Sequence, residues 1–221
     1  MKHTYIIGAG GVGSWLAPSV IMLLGKPDSV TIIDGDVLEE KNLNRQLFTR
    51  DEIGKTKAEA LASKYGCGAI PKYFSHGDIE LHRTDWVLCV VDNNASRNAV
   101  LESCDAYGCK AIFAANETHS SEAYYYENEW QGDKLDPRTY YPEIATDKSD
   151  DPRRAAIGCT GEAQVRNPQL VSANFMAASL CQHLLVLWRQ EQPKMGREAL
   201  PHLPYRIRQN LTKSEVFKVK D

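Results

Sequence analysis

The sequence predicts an α/β fold: a Rossmann-like, mainly parallel sheet with helices on both faces, extended by antiparallel strands in the C-terminal half. Three observations predict it. Short apolar runs alternate with helix-periodic stretches through the first 115 residues, which is the pattern of successive βαβ units. The first apolar run leads directly into Gly8-Ala9-Gly10-Gly11-Val12-Gly13, a glycine loop of the kind that joins a strand to a helix. The second half changes character, beginning with a tyrosine-rich stretch that suits an antiparallel strand.

The elements follow in order. Thr4 to Gly8 is an apolar strand, and Gly11 to Leu24 a helix with Trp15, Val20, Leu23 and Leu24 among its apolar positions. Ser29 to Asp34 is β-branched and closes on a carboxylate. Lys57 to Tyr65 is a helix, Ala69 to Ser75 a weaker strand, and Asp85 to Asp92 the clearest buried strand. Ala95 to Tyr107 is a helix and Lys110 to Ala115 a strand. Right-handed crossovers place the strand ends carrying Gly8, Asp34 and Asp92 along one edge of the sheet, where ligands bind in such folds.

Beyond these lie the strand Glu122 to Trp130 and a polar stretch, Gln131 to Ile157, that reads as a long mobile connection. A helix from about Asn167 to Trp188 has Leu170, Ala173, Ala177, Leu180, Leu184 and Leu187 on one face. Tyr205 to Val219 is expected to supply a final hairpin.

Composition narrows the function classes. A chain of 221 residues, 43% of them hydrophobic, can bury one sizeable core. A net charge of -3 argues against a general nucleic-acid or membrane-surface binder. No secretory segment precedes the first strand, and the apolar stretches read as too short for a membrane span; a cytoplasmic location is expected. The cysteines at 67, 89, 104, 109, 159 and 181 form no C-x-x-C pair, so reduced thiols and no zinc are expected. Helical phase puts Cys104 and Cys109 on different faces.

The chemistry resides in three motifs. In the first, glycines let backbone approach phosphate, with a helix N-terminus behind them. This accounts for Gly8, Gly10, Gly11 and Gly13. Asp34 lies about 20 residues further on, where a carboxylate grips ribose hydroxyls, within Asp34-Gly35-Asp36. The second motif, Asn42-Leu43-Asn44-Arg45-Gln46, sets a planar cation just beyond that carboxylate. Lys57 opens the next helix, within reach of the same phosphates. The third, Asp92-Asn93-Asn94-Ala95-Ser96-Arg97, offers a hard oxygen ligand suited to magnesium at Asp92. Asn93 or Asn94 can cap the helix that follows, and Arg97 either reinforces the loop or touches the nucleotide.

Taken together, Gly8 to Gly13, Asp34, Asn42 to Gln46, Gly54 to Lys57 and Asp92 to Arg97 resemble the ThiF/MoeB/HesA family, bacterial relatives of ubiquitin-activating enzymes. The resemblance covers about the first 115 residues, and more loosely extends to the helix at Asn167 to Trp188. It implies ATP and magnesium, and adenylation of the C-terminal glycine of a ubiquitin-like β-grasp protein or sulfur carrier, with release of pyrophosphate. It implies that Gly10, Gly11 and Gly13 cradle phosphate while Asp34 and Asn42 hold the ribose side. Asp36, Gln46, Asn93 and Arg97 complete the nucleotide site. Arg45 and Lys57 would neutralise the triphosphate, and Asp92 would bind magnesium or orient the acyl group. Cys159, near Arg153 and Arg154, would accept the activated carboxyl as a thioester or take part in sulfur transfer. The expected organisation is one domain over 1–221, with a nucleotide-binding half (1–115), a partner-binding half (116–221) and a crossover loop at about 131–158.

Two departures from the family pattern stand out. The paired C-x-x-C motifs are absent, and the chain starts at its first strand, leaving Arg50, Arg153 or Arg154 as sources of a further arginine. The apolar face of the last helix suggests a homodimer, although it equally suits a cover for the sheet. An NAD-dependent oxidoreductase would explain the glycine loop and Asp34 but leave Arg45, Lys57 and Asp92 without tasks. A nucleotide-binding scaffold without turnover is the third reading.

Overall fold

The computed structural model describes residues 3–117, 119–147, 170–191, 204–210 and 215–218. Eight strands form one sheet in the order β3-β2-β1-β4-β5-β6-β7-β8. They are β1 Thr4–Ile7, β2 Val30–Ile33, β3 Gly68–Ile70, β4 Trp86–Cys89, β5 Lys110–Asn116, β6 Ser120–Glu127, β7 Arg206–Asn210 and β8 Glu215–Lys218. The strands from β3 to β5 pair in parallel, and β6 to β8 antiparallel. The final hairpin expected near the C-terminus is β7 and β8.

The helices are α1 Gly11–Leu24, α2 Lys57–Tyr65, α3 Asn94–Tyr107, α4 Pro137–Tyr140, α5 Glu143–Thr146 and α6 Val171–Glu191. α1 packs on α2 and α6, and α6 covers β5 and β6, while α3 packs on β4 and β5 and carries α5. The strand order reverses direction at β1, so right-handed crossovers put α1 and α2 on one face and α3 on the other.

Two strands stop earlier than the sequence suggests. β3 ends at Ile70 because Pro71 has no N–H for the ladder. β4 ends at Cys89 because its neighbour β1 ends at Ile7. Val90 N–H still reaches the Ile7 carbonyl at 2.9 Å, and beyond it the chain leaves the sheet toward Asp92.

The core is continuous across both halves. In β6 the period-2 alternation sends Tyr125 to one face, where its ring stacks on Trp188 of α6 at 3.8 Å. Tyr124 stacks on Phe113 of β5 at 5.0 Å, and Tyr126 hydrogen-bonds Asp105 of α3. The face of α6 from which a homodimer was inferred is mostly core: Ala173, Ala177, Leu180 and Leu184 are buried under it.

Three expectations need correction. The polar connection at 131–157 is ordered over its first part. Arg138 bridges Asp105 and Asp136, each at 2.8 Å, and its guanidinium donates to the Tyr126 hydroxyl at 2.9 Å, so these polar groups satisfy one another instead of water. The window Val171–Gln190 has the length and hydropathy of a membrane span, contrary to the sequence reading, with half of it buried inside the protein. Cys104 and Cys109, expected on different faces, meet with their sulfurs 3.2 Å apart. Helical phase does not apply, because α3 ends at Tyr107. Both are fully buried, free thiols, and burial pushes the Cys104 thiol pKa well up.

Candidate functional site

The glycine loop is shaped by contact on three of its positions and open on one. Gly8 has φ +98°, and a Cβ there would meet Val91 Cγ1 at 3.0 Å. A Cβ on Gly13 would lie 1.9 Å from the Gly8 carbonyl oxygen, so the first turn of α1 rests directly on the loop. Gly11 faces Asn174. At Gly10 the nearest atom is Gln46 Nε2, at 4.0 Å. No side chain caps α1, and its first turn holds no acidic residue. The first-turn N–H groups, at the positive end of the helix dipole, therefore have no side-chain acceptor among the described residues. Such a helix end is the kind of place that takes an anion.

Asp34 stands at the end of β2, beside the loop. Its Oδ2 accepts the Ala9 N–H at 2.6 Å and its Oδ1 the Asp36 N–H at 2.8 Å. Burial raises its carboxyl pKa above the usual range, against the pull of Lys57. These bonds tie the tip of β2 to the glycine loop, where a ribose would meet it.

Lys57, expected within reach of the phosphates, is paired with a carboxylate. Its Nζ lies 2.6 Å from Asp36 Oδ2, and the Tyr73 hydroxyl donates to Asp36 Oδ1 at 2.6 Å. Burial works against the Asp36 charge, but Lys57 and Tyr73 outweigh it and hold this carboxyl below its ordinary value. Arg45 has no carboxylate partner among the described residues. Its guanidinium donates to the Lys41 carbonyl at 3.0 Å and to Asn44 Oδ1 at 3.2 Å, both uncharged acceptors. Asn42 is buried, and its Oδ1 accepts the Glu39 N–H in a capping box, so its oxygen serves local structure. Gln46 is buried with Oε1 lacking a hydrogen-bond partner.

Asp92 is exposed past the end of β4. Asn93 is the N-cap of α3, its side chain accepting the Ser96 N–H at 2.8 Å. Arg97 reaches back to the Val91 carbonyl at 3.0 Å and to Asn94 Oδ1 at 3.2 Å, so it braces the loop that carries Asp92. Cys159, with Arg153 and Arg154, lies outside the described residues.

Sequence reasoning missed three features. Tyr73 and Asn174 touch the site from distant positions, with no motif to mark them. The third is a cavity of about 260 Å³ beside Asn94 and Arg97, walled by Asn116, Tyr124, Tyr141 and Arg208. Its far wall is fixed by Glu122, which pairs with Arg206 at 2.6 Å and accepts the Tyr141 hydroxyl. Strands β6 and β7 bring these residues together, and no local spacing announces them.

The chain is similar to several known proteins. Residues 1–66 match the ThiF family. The SUMO-activating enzyme subunit uba-2 of Caenorhabditis elegans is 34% identical over 112 residues, 46% of this chain and 19% of that protein. The tRNA threonylcarbamoyladenosine dehydratase of Escherichia coli K12 is 39% identical over 64 residues, 28% of this chain and 23% of that protein. The matched stretches thus span about a fifth of these relatives. Among solved structures, E. coli MccB with succinimide superposes with a TM-score of 0.66 at 19% identity, over 98% of this chain and 62% of MccB. The part of the chain that matches the ThiF family thus holds the glycine loop, Asp34, Arg45 and Lys57, and the fold is shared with MccB.

Proposed function

We propose that the protein is an ATP-dependent adenylyltransferase. Its acceptor is the C-terminal carboxyl of a ubiquitin-like β-grasp protein, a sulfur carrier ending in glycine, or a peptide, and its by-product is pyrophosphate. One observation carries the reading: a helix N-terminus without a side-chain cap, the Asp34 carboxylate beside the glycine loop and an arginine without a carboxylate partner among the described residues share one sheet edge. A dehydrogenase needs only the first two.

The chain's own residues have definite tasks in this reaction. The glycine loop and α1 hold the phosphates by backbone N–H groups. Asp34 orients the ribose. Arg45 stabilises charge that builds on the phosphates as the bond to pyrophosphate breaks, and adenylyl transfer depends on such positioning more than on a protein nucleophile. Lys57 shares its charge between Asp36 and the phosphates. Magnesium, held through Asp92, would supply further charge neutralisation. The cavity beside Arg97 suits the acceptor's terminal residues. A homodimer and a thioester at Cys159 are extensions of the same proposal.

The test is acceptor-dependent exchange of labelled pyrophosphate into ATP. Exchange with a β-grasp protein or peptide supports the reading. Hydride transfer to or from NAD without exchange would replace it with an oxidoreductase. ATP binding without exchange for any acceptor would favour a scaffold. For the thioester, a thiol-sensitive adduct that survives Cys159→Ala would remove that extension alone.

A further inference from the structure

Gly11 is the loop glycine that a side chain crowds most closely. A Cβ there would lie 2.6 Å from Asn174 Nδ2 and 2.8 Å from both Cγ and Oδ1. The whole amide of Asn174 thus lies against the Gly11 backbone. Asn174 belongs to the first turn of α6 and has no exposed surface. Its Nδ2 reaches the Arg45 carbonyl oxygen at 3.5 Å, the oxygen that the Trp15 indole of α1 approaches at 3.4 Å. A third link joins the same segments: the Leu47 N–H donates to Ser14 Oγ of α1 at 3.0 Å.

The seat of Asn174 is rigid. Ser121 Oγ of β6 donates to the neighbouring Ala173 carbonyl at 2.9 Å, and Gln182 further along α6 donates to the Ser19 carbonyl of α1 at 3.0 Å. Yet Asn174 Oδ1 is buried without a hydrogen-bond partner among the described residues, an arrangement that disfavours the folded state. A small apolar residue, such as Ala173, Ala177 and Ala178 on the same helix, would avoid that cost. An amide kept at such a place has a task other than stability.

We propose that Asn174 is a positioning residue for triphosphate binding. Its amide holds the glycine loop against the Arg45 backbone, so that the α1 N-terminus and the Arg45 guanidinium keep a fixed spacing along the phosphate chain. Gly11 is glycine because of Asn174, and not because a phosphate needs the space. The inference rests on the ATP reading above and adds a residue more than a hundred positions from the motif.

The test compares two nucleotides on the full chain by titration calorimetry: the ATP analogue AMP-PNP with magnesium, and AMP. Asn174→Ala is expected to bind AMP-PNP about tenfold more weakly, since small misplacements of charged groups carry large penalties, while AMP affinity stays within about twofold. Gly11→Ala is expected to lose more, and the double variant Gly11→Ala/Asn174→Ala to recover to the Asn174→Ala level, because truncating the amide removes the clash. Equal losses for AMP and AMP-PNP would mean general damage and overturn the proposal, as would a double variant no better than Gly11→Ala. Asn174→Ser, with melting followed by circular dichroism, serves if Asn174→Ala does not fold. A wild-type protein that binds neither nucleotide overturns the ATP reading itself. One that binds both, with Asn174→Ala unchanged, overturns the positioning role alone.

Discussion

The sheet is held together in different ways on the two sides of β5. From β3 to β5 the strands are parallel and apolar, and the polar groups at their ends belong to backbone-centred loops: Gly8 to Gly13, Asp34 on the Ala9 and Asp36 N–H groups, Asn93 on the Ser96 N–H. From β6 to β8 the strands are antiparallel and carry side-chain networks: Trp188 on Tyr125, Arg138 between Asp105 and Asp136, Arg206 on Glu122 and Tyr141. The first side presents helix N–H groups without a side-chain cap and an arginine with no carboxylate partner among the described residues; in the second, most buried polar groups are satisfied. A site for a charged ligand needs the first arrangement, and a wall that must keep its shape needs the second.

The comparison can be broken most severely at Gly13. A Cβ 1.9 Å from the Gly8 carbonyl has nowhere to go in a parallel sheet covered by α1, so Gly13→Ala is expected to abolish nucleotide binding and the native fold together. Calorimetric titration beside a melting curve checks this, and wild-type values in both would refute the packing described for the loop. On the other side, Trp188→Ala should lower stability by about 3–5 kcal/mol, read as a shift in the urea midpoint. If the protein that remains folded also loses nucleotide affinity, the two sides are more tightly coupled than their architecture suggests.

Smaller effects sharpen the contrast. Arg45→Ala and Asp92→Ala should each reduce pyrophosphate exchange by roughly 100-fold, equivalent to about 2.7 kcal/mol at the transition state. Their stability should change by no more than about 0.5 kcal/mol, as is usual at sites outside the core. A large fall in melting temperature would move these residues from function to structure. The smallest effect is one of pH. Asp36 is held below its ordinary pKa, so its contribution to stability is present above the unfolded carboxylate value, near 3.9, and is lost as pH falls through the folded value. With its side chain a third exposed, that contribution is small. Asp36→Asn should therefore be slightly less stable than wild type at neutral pH, and the difference should shrink on acidification. A difference independent of pH would exclude the Lys57 pairing as its source.

Much of the parallel side was legible in the chain because its residues act through local backbone geometry. Gly8 to Gly13, Asp34 and Asn93 occupy turns and caps whose requirements are written over a few neighbouring positions. Lys57 shows the limit of that kind of reading. Its position was foreseen, but the carboxylate that neutralises it, Asp36, was counted as a separate ligand, and the Tyr73 hydroxyl that completes the trio lies 37 positions from Asp36. Cys104 and Cys109 show another limit, since a helix that stops at Tyr107 removes the phase from which their separation was inferred.

By itself the sequence determined the βαβ order, the placement of Gly8, Asp34 and Asp92 at strand ends, and the identity of Arg45 as the cation of the second motif. These follow from periodicity, chirality and turn chemistry, which operate over short distances along the chain. Only the tertiary structure decided that α6 covers the sheet with the face that had suggested a homodimer. It alone decided that Glu122, Tyr141 and Arg208 wall a cavity beside Arg97, and that Asn174 rests on Gly11. Such contacts depend on which antiparallel strands pair and where a distant helix docks, and those choices come from packing the whole core at once.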